Sequence, residues 1–147
     1  MPVPSGTCSG HILLVDDNRL GLVARKTVLE ELGYRIETAT EGSEALAQLR
    51  EHKFDLIITD YKMPRMNGVE LIAKIRQLVP GIQIVLLSGY TDALGLNEEN
   101  TGANAVIAKS ANEVQHLTRT LGRLLKQPAS RKTASSQSKL KVRSQTA

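Results

Sequence analysis

Tryptophan is absent from the 147 residues, and Phe and Tyr together supply only 3% of them, so any core must be aliphatic. A single cysteine, Cys8, excludes an internal disulfide and offers no metal-ligand spacing. Apolar runs of bilayer length are missing as well. Stretches such as Ile12-Leu13-Leu14-Val15 and Ile84-Val85-Leu86-Leu87 are far too short to span a membrane. The opening residues Met1–Cys8 lack both a basic start and an apolar stretch, which argues against a secretory signal and makes the cytoplasm the expected location. Acidic residues are missing from Lys126 onward, where six basic ones stand (Lys126, Arg131, Lys132, Lys139, Lys141 and Arg143). Removing those six leaves 13 of the 19 basic residues against all 15 acidic ones, so the net charge of +4 belongs to the tail and the body is slightly acidic.

The length suits one domain and leaves no room for two. Its expected layout is a flexible N-terminus over residues 1–9, a folded body over 10–127 and a basic tail over 128–147. The tail is rich in Ser, Gln, Thr and Lys and poor in large apolar groups, a composition that cannot offset its own ordering entropy. Contact with nucleic acid is expected only weakly, through that tail.

What is present is a regular alternation. Short apolar runs at Ile12–Val15, Leu56–Ile58, Ile82–Leu87 and Ala105–Ala108 read as strands of a parallel sheet covered on both faces. Tyr34–Thr38 alternates instead, as a less covered strand does. Helical stripes lie between them. The first runs through Leu20, Val23, Thr27 and Val28 to Leu32, with Gly33 as its stop. Ala45, Leu46 and Leu49 mark the second, and Val69, Ile72, Ile75 and Val79 the third. Val114, Leu117, Leu121 and Leu124 mark the last. Asn67 with Glu70 three residues on is a capping-box variant that fixes where the third helix begins. The segment Tyr90–Thr101, with Gly95, Asn97 and Asn100 and only Leu94 and Leu96 as anchors, predicts a short or mobile fourth helix. Five β-α repeats with right-handed crossovers give an α/β fold with a doubly wound sheet.

In such sheets functional groups gather beyond the carboxyl ends of the strands. The first strand ends in Asp16-Asp17, the third in Asp60, the fourth in Ser88 and the fifth in Lys109. Singly, each has an ordinary explanation: acidic residues favour a helix start, Ser before Gly makes turns, and lysines sit on surfaces. Independent explanations do not place all five at one edge. Three neighbouring carboxylates repel and need a cation. Oxygen ligands with room for water suit Mg²⁺, which neutralises charge as a phosphoryl group arrives. An Asp carboxylate can act as the nucleophile, while an ammonium and a hydroxyl hold the remaining oxygens.

These pieces resemble a known family. Ile12-Leu13-Leu14-Val15-Asp16-Asp17, then Asp60-Tyr61-Lys62-Met63-Pro64-Arg65-Met66-Asn67-Gly68, then Ser88-Gly89, then Gly102-Ala103 ahead of Lys109 are similar to the receiver domains of two-component response regulators, the CheY-like group. The resemblance covers residues 11–126 and implies a flavodoxin-like five-stranded parallel sheet in the order 2-1-3-4-5 with helices on both faces. It implies Asp60 as the phosphoacceptor. It also implies Mg²⁺ held by Asp60 and Asp17, by Asp16 mainly through water, and by the backbone carbonyl of Lys62. Ser88 and Lys109 would contact the phosphoryl group. The donor would be a phosphohistidine on a sensor histidine kinase or phosphotransfer protein. The output would be a change in binding to a protein partner, and the chain would be no enzyme beyond self-phosphorylation and self-dephosphorylation.

Two positions depart from that family. Val106 stands where receivers usually carry a Tyr or Phe that turns inward with the hydroxyl residue, and a β-branched side chain has no ring to swing. Tyr90, two residues after Ser88, is the candidate replacement switch. Ser110 stands where Pro usually follows the lysine, so a trans bond is expected there. The departures keep open a second reading, a receiver-like docking module without a phosphorylation cycle. A haloacid dehalogenase-type phosphatase needs a second Asp two residues past the nucleophile, where Lys62 stands. A dinucleotide site needs a Gly-rich turn where Asp16-Asp17-Asn18 stands. His11, His52 and His116 are scattered, none at the carboxyl ends of the strands, and receive no role.

Overall fold

The computed structural model describes residues 10–89 and 95–126. The chain runs β1 (His11–Val15), α1 (Arg19–Glu31), β2 (Arg35–Ala39), α2 (Gly42–Glu51), β3 (Leu56–Asp60), α3 (Gly68–Leu78), β4 (Gln83–Ser88), α4 (Glu98–Thr101), β5 (Ala105–Ala108) and α5 (Glu113–Lys126). All five strands are parallel, in the order β2-β1-β3-β4-β5. That is the doubly wound sheet the alternation implies. Most strand ends lie one or two residues from the apolar runs, because backbone pairing continues past the last large apolar side chain. Asp60 and Ser88 are themselves paired strand residues.

Side chains alternate across the sheet and feed two cores. Ile12, Leu14, Leu56, Ile58, Val85, Leu87 and Ile107 pack with Leu22 and Leu29 of α1 and Leu117, Leu121 and Leu124 of α5. On the other face Leu13, Val15, Ile57, Ile84 and Leu86 pack with Ala45, Leu46 and Leu49 of α2 and Leu71, Ile72 and Ile75 of α3. Both faces of β1, β3 and β4 are covered, which is why those strands read as unbroken apolar runs.

The face of α1 corrects the sequence reading. Leu20 is 83% and Val23 61% exposed, so the stripe drawn through them is not the buried one. Leu22 and Leu29 are buried instead, and Arg25 lies at the same phase between them. Val114 at the start of α5 is also exposed, whereas Leu117, Leu121 and Leu124 are buried.

Helix ends follow local chemistry. Asn18 caps α1 by accepting from the Gly21 N–H at 3.1 Å, and Gly33 beyond its end takes φ +108°, a region L side chains resist. The capping box at α3 is complete, with the Glu70 N–H donating to Asn67 and the Asn67 N–H donating to Glu70, both at 2.9 Å. The fourth helix is short, four residues capped by Asn97, and the Tyr90–Leu94 part of that expectation lies outside the described residues. So do the two termini, 1–9 and 127–147. The described residues contain no cis peptide bond, so Lys109-Ser110 is trans, and no helix among them is long and apolar enough to cross a membrane.

Candidate functional site

The order of the sheet decides which residues meet. β1 sits between β2 and β3, with Val15 opposite Thr59, so the residues that follow these partners emerge side by side. Asp16, 2% exposed, and Asp17, exposed, come from β1; Asp60, 5% exposed, closes β3. One carboxylate oxygen from each lies within 4.8 Å of the other two. β4 and β5 bring the rest of the edge, since Ser88 pairs with Ala108 and the Lys109 N–H donates to the Ser88 carbonyl at 3.1 Å. The Lys109 ammonium reaches Asp60 Oδ1 at 2.6 Å. A cleft of about 510 Å³ is lined by Asp16, Asp17, Asn18, Asp60, Lys62, Gly89 and Lys109. Ser88, which precedes Gly89 in sequence, is buried and is not among those lining residues.

The loop after Asp60 is tied down at several points. The Tyr61 N–H donates to Leu87 and the Gly68 N–H returns to the Tyr61 carbonyl at 2.7 Å. Met63 is buried, and Met66 lies over Gly42, where a Cβ would come within 2.7 Å of its sulfur. Arg65 takes φ +69°, with its guanidinium 2.9 Å from Glu41. Gly68 has no room for a side chain, since a Cβ there would fall 2.5 Å from the Asp60 carbonyl oxygen. These constraints give a physical reason for much of the pattern Asp60–Gly68: Met63, Met66 and Gly68 each have a steric or packing task.

Burial pushes the Asp60 carboxyl above its usual range. The hydrogen bond from Lys109 opposes that shift, and the nearby Asp16 charge adds to it. The ionised form of Asp60 is therefore disfavoured in the pocket. Hard oxygen donors at this spacing, beside an open cleft, fit a divalent cation such as Mg²⁺.

Of the two switch candidates, Val106 packs against the core beneath α2 and α3 and donates its N–H to Glu98 of α4 at 3.2 Å. Tyr90 lies outside the described residues. None of the three histidines lines the cleft.

One participant escaped the sequence reading. The Arg25 guanidinium donates to Asp16 Oδ2 at 2.9 Å and to both oxygens of Glu113, at 2.5 and 3.2 Å. It links Asp16, at the end of β1, to Glu113, the first residue of α5. The signal that would have found it is its phase, an arginine between Leu22 and Leu29 on the buried side of α1.

Comparison with known proteins places this architecture. The response regulator receiver domain family matches residues 12–121. The transcriptional regulatory protein GlrR of Escherichia coli K12 is 38% identical over 80 residues, covering 54% of this chain and 18% of that protein. The virulence sensor protein BvgS of Bordetella pertussis is 38% identical over 92 residues, covering 60% of this chain and 7% of that protein. The chain thus spans less than a fifth of either relative. The response regulator TrrA of Thermotoga maritima, solved in complex with Mg²⁺ and BeF, superposes with a TM-score of 0.71 at 34% identity, covering 78% of this chain and 98% of that one.

Proposed function

The chain belongs to the response regulator receiver domain family of two-component signalling, and on that premise we propose that Asp60 accepts a phosphoryl group beside Mg²⁺ and so switches binding to a protein partner. The observation that carries the proposal is the gathering of Asp16, Asp17 and Asp60 within 4.8 Å, with the Lys109 ammonium already on Asp60. The family is a signalling domain, and the chemistry asked of it is acceptance of a group.

An Asp60 carboxylate oxygen attacks the phosphorus of a phosphohistidine on a sensor histidine kinase or phosphotransfer protein. The new O–P bond forms as the N–P bond breaks, and the imidazole leaves with the electron pair. Lys109 holds a phosphoryl oxygen with a charge-assisted hydrogen bond, and Ser88 offers a hydroxyl from the adjacent strand end. Asp17, Asp60, the Lys62 carbonyl and, through water, Asp16 are the protein's ligands for Mg²⁺. When bound, the cation neutralises charge on the transferring group. The folding unit in this proposal is 10–127, located in the cytoplasm.

A second reading, a docking domain without a phosphorylation cycle, draws on Val106, whose packing leaves no aromatic ring to follow Ser88 from β5. Incubation with acetyl phosphate and Mg²⁺ separates the two. Intact-mass measurement should show one added phosphoryl group on the wild type and none on Asp60→Asn. If a competent donor kinase also leaves the wild-type mass unchanged, the docking reading replaces the switch.

A further inference from the structure

The phosphoacceptor reading leaves Arg25 without a task, although it is the one guanidinium among the described residues that touches the acidic pocket. Its side chain is only 13% exposed, a setting that is costly for a charge unless it is fully paired. Here it is paired twice, with Asp16 and with Glu113. Space has been kept for it as well. Gly21 sits one turn earlier in α1, inside a helix that glycine weakens relative to alanine. A Cβ there would lie 3.2 Å from the Arg25 Nη1 and 3.4 Å from Asp16 Oδ2. A side chain at 21 would therefore press on the Arg25–Asp16 pair.

We propose that Arg25 is the built-in counter-cation of the acidic pocket, a positioning residue that neutralises Asp16 when no metal is bound, is shared with Glu113, and so sets the affinity of the site for divalent cations. The inference rests on the Mg²⁺-dependent phosphoacceptor reading and names a control on that same site.

The sign of the effect follows from what else holds Asp16. Its Oδ1 accepts the Asn18 N–H at 2.9 Å and its own N–H donates to the Ala39 carbonyl at 3.1 Å, so the backbone fixes its place. The contribution of Arg25 is then chiefly charge, and it competes with an arriving cation. Glu113 draws part of that charge away from Asp16. Removing the arginine makes the pocket more negative; neutralising the glutamate leaves the whole guanidinium charge on Asp16. The two substitutions act in opposite directions on metal affinity. An ion pair that only fastened α1 to α5 would be broken by either one with the same consequence.

Isothermal titration of the full chain with Mg²⁺ tests this. Arg25→Gln should bind Mg²⁺ about tenfold more tightly and Glu113→Gln about threefold more weakly, the scale on which a neighbouring charge moves a carboxylate's affinity for a cation. In the Arg25→Gln background, Glu113→Gln should have no further effect, because the glutamate acts through the arginine. Arg25→Lys, which keeps the charge, should remain near the wild type. If Arg25→Gln does not fold, Glu113→Gln and Arg25→Lys still decide the matter. Weaker binding in both single variants, or no change in either, overturns the proposal while the phosphoacceptor reading stands. A wild type that neither binds Mg²⁺ nor accepts phosphate from acetyl phosphate removes both.

Discussion

Asp60 carries opposing influences that set a sign. Burial raises its pKa, the Lys109 hydrogen bond lowers it, and the Asp16 charge raises it again, with a net upward result. The folded chain thus holds this proton more tightly than the unfolded chain does. Stability from this group is fully present below the ordinary aspartate range and is lost as pH rises through the elevated folded value. At neutral pH in a chelator the ionised carboxylate is a net burden on the fold. Asp60→Asn should therefore melt higher than the wild type at pH 7 in EDTA. The gap should close as pH falls below the carboxylate range. Thermal melts across pH measure it, and a variant that melts lower at neutral pH would mean that the Lys109 pair outweighs burial. Added Mg²⁺ should favour the wild type over the variant, since the charge that burdens the metal-free fold is the charge the cation seeks.

At the scale of elements, α3 begins directly behind Asp60, and two neighbouring residues there do different work. Asn67 caps the helix, so Asn67→Ala should cost about 1 kcal/mol, read as a lower urea midpoint, with little effect on phosphorylation. Gly68 makes room for the Asp60 carbonyl and for Leu86, whose Cδ1 would lie 2.7 Å from an added Cβ. Gly68→Ala should cost about 1–3 kcal/mol by overpacking and, on the proposed function, also slow labelling by acetyl phosphate, because relief of the clash moves β3 and Asp60 with it. Equal labelling rates in the two variants would contradict this account. The same elements show what sequence could and could not disclose. Strands covered on both faces leave unbroken apolar runs, and strand-end positions such as Asp16, Asp60 and Lys109 are read off those runs directly. The buried side of α1 was not legible, because Leu20 and Val23 are apolar yet face solvent while Arg25 points inward. That inversion depends on Glu113, 88 residues away in sequence, which only the fold brings into reach.

For the whole molecule, the sheet is both scaffold and partition. Successive residues of β1 divide between the two cores, Ile12 and Leu14 on the α1/α5 face, Leu13 and Val15 on the α2/α3 face. The acidic pocket opens at the edge where both cores end, so its geometry is supported from both sides. The α1/α5 core lies on one face of the sheet and the α2/α3 core on the other. If the sheet insulates the cores, small cavities on opposite faces should not feel each other. Ile107 lies in the α1/α5 core and Ile75 in the α2/α3 core, both almost fully buried. Ile107→Val and Ile75→Val should each cost about 0.5–1.5 kcal/mol through the lost methylene and the space it leaves. The double variant should show their sum to within about 0.5 kcal/mol, as independent sites do. Urea unfolding of the four proteins supplies the cycle. A coupling well beyond that margin would show that strain crosses the sheet, and the two faces could then not carry separate responses to what happens at Asp60.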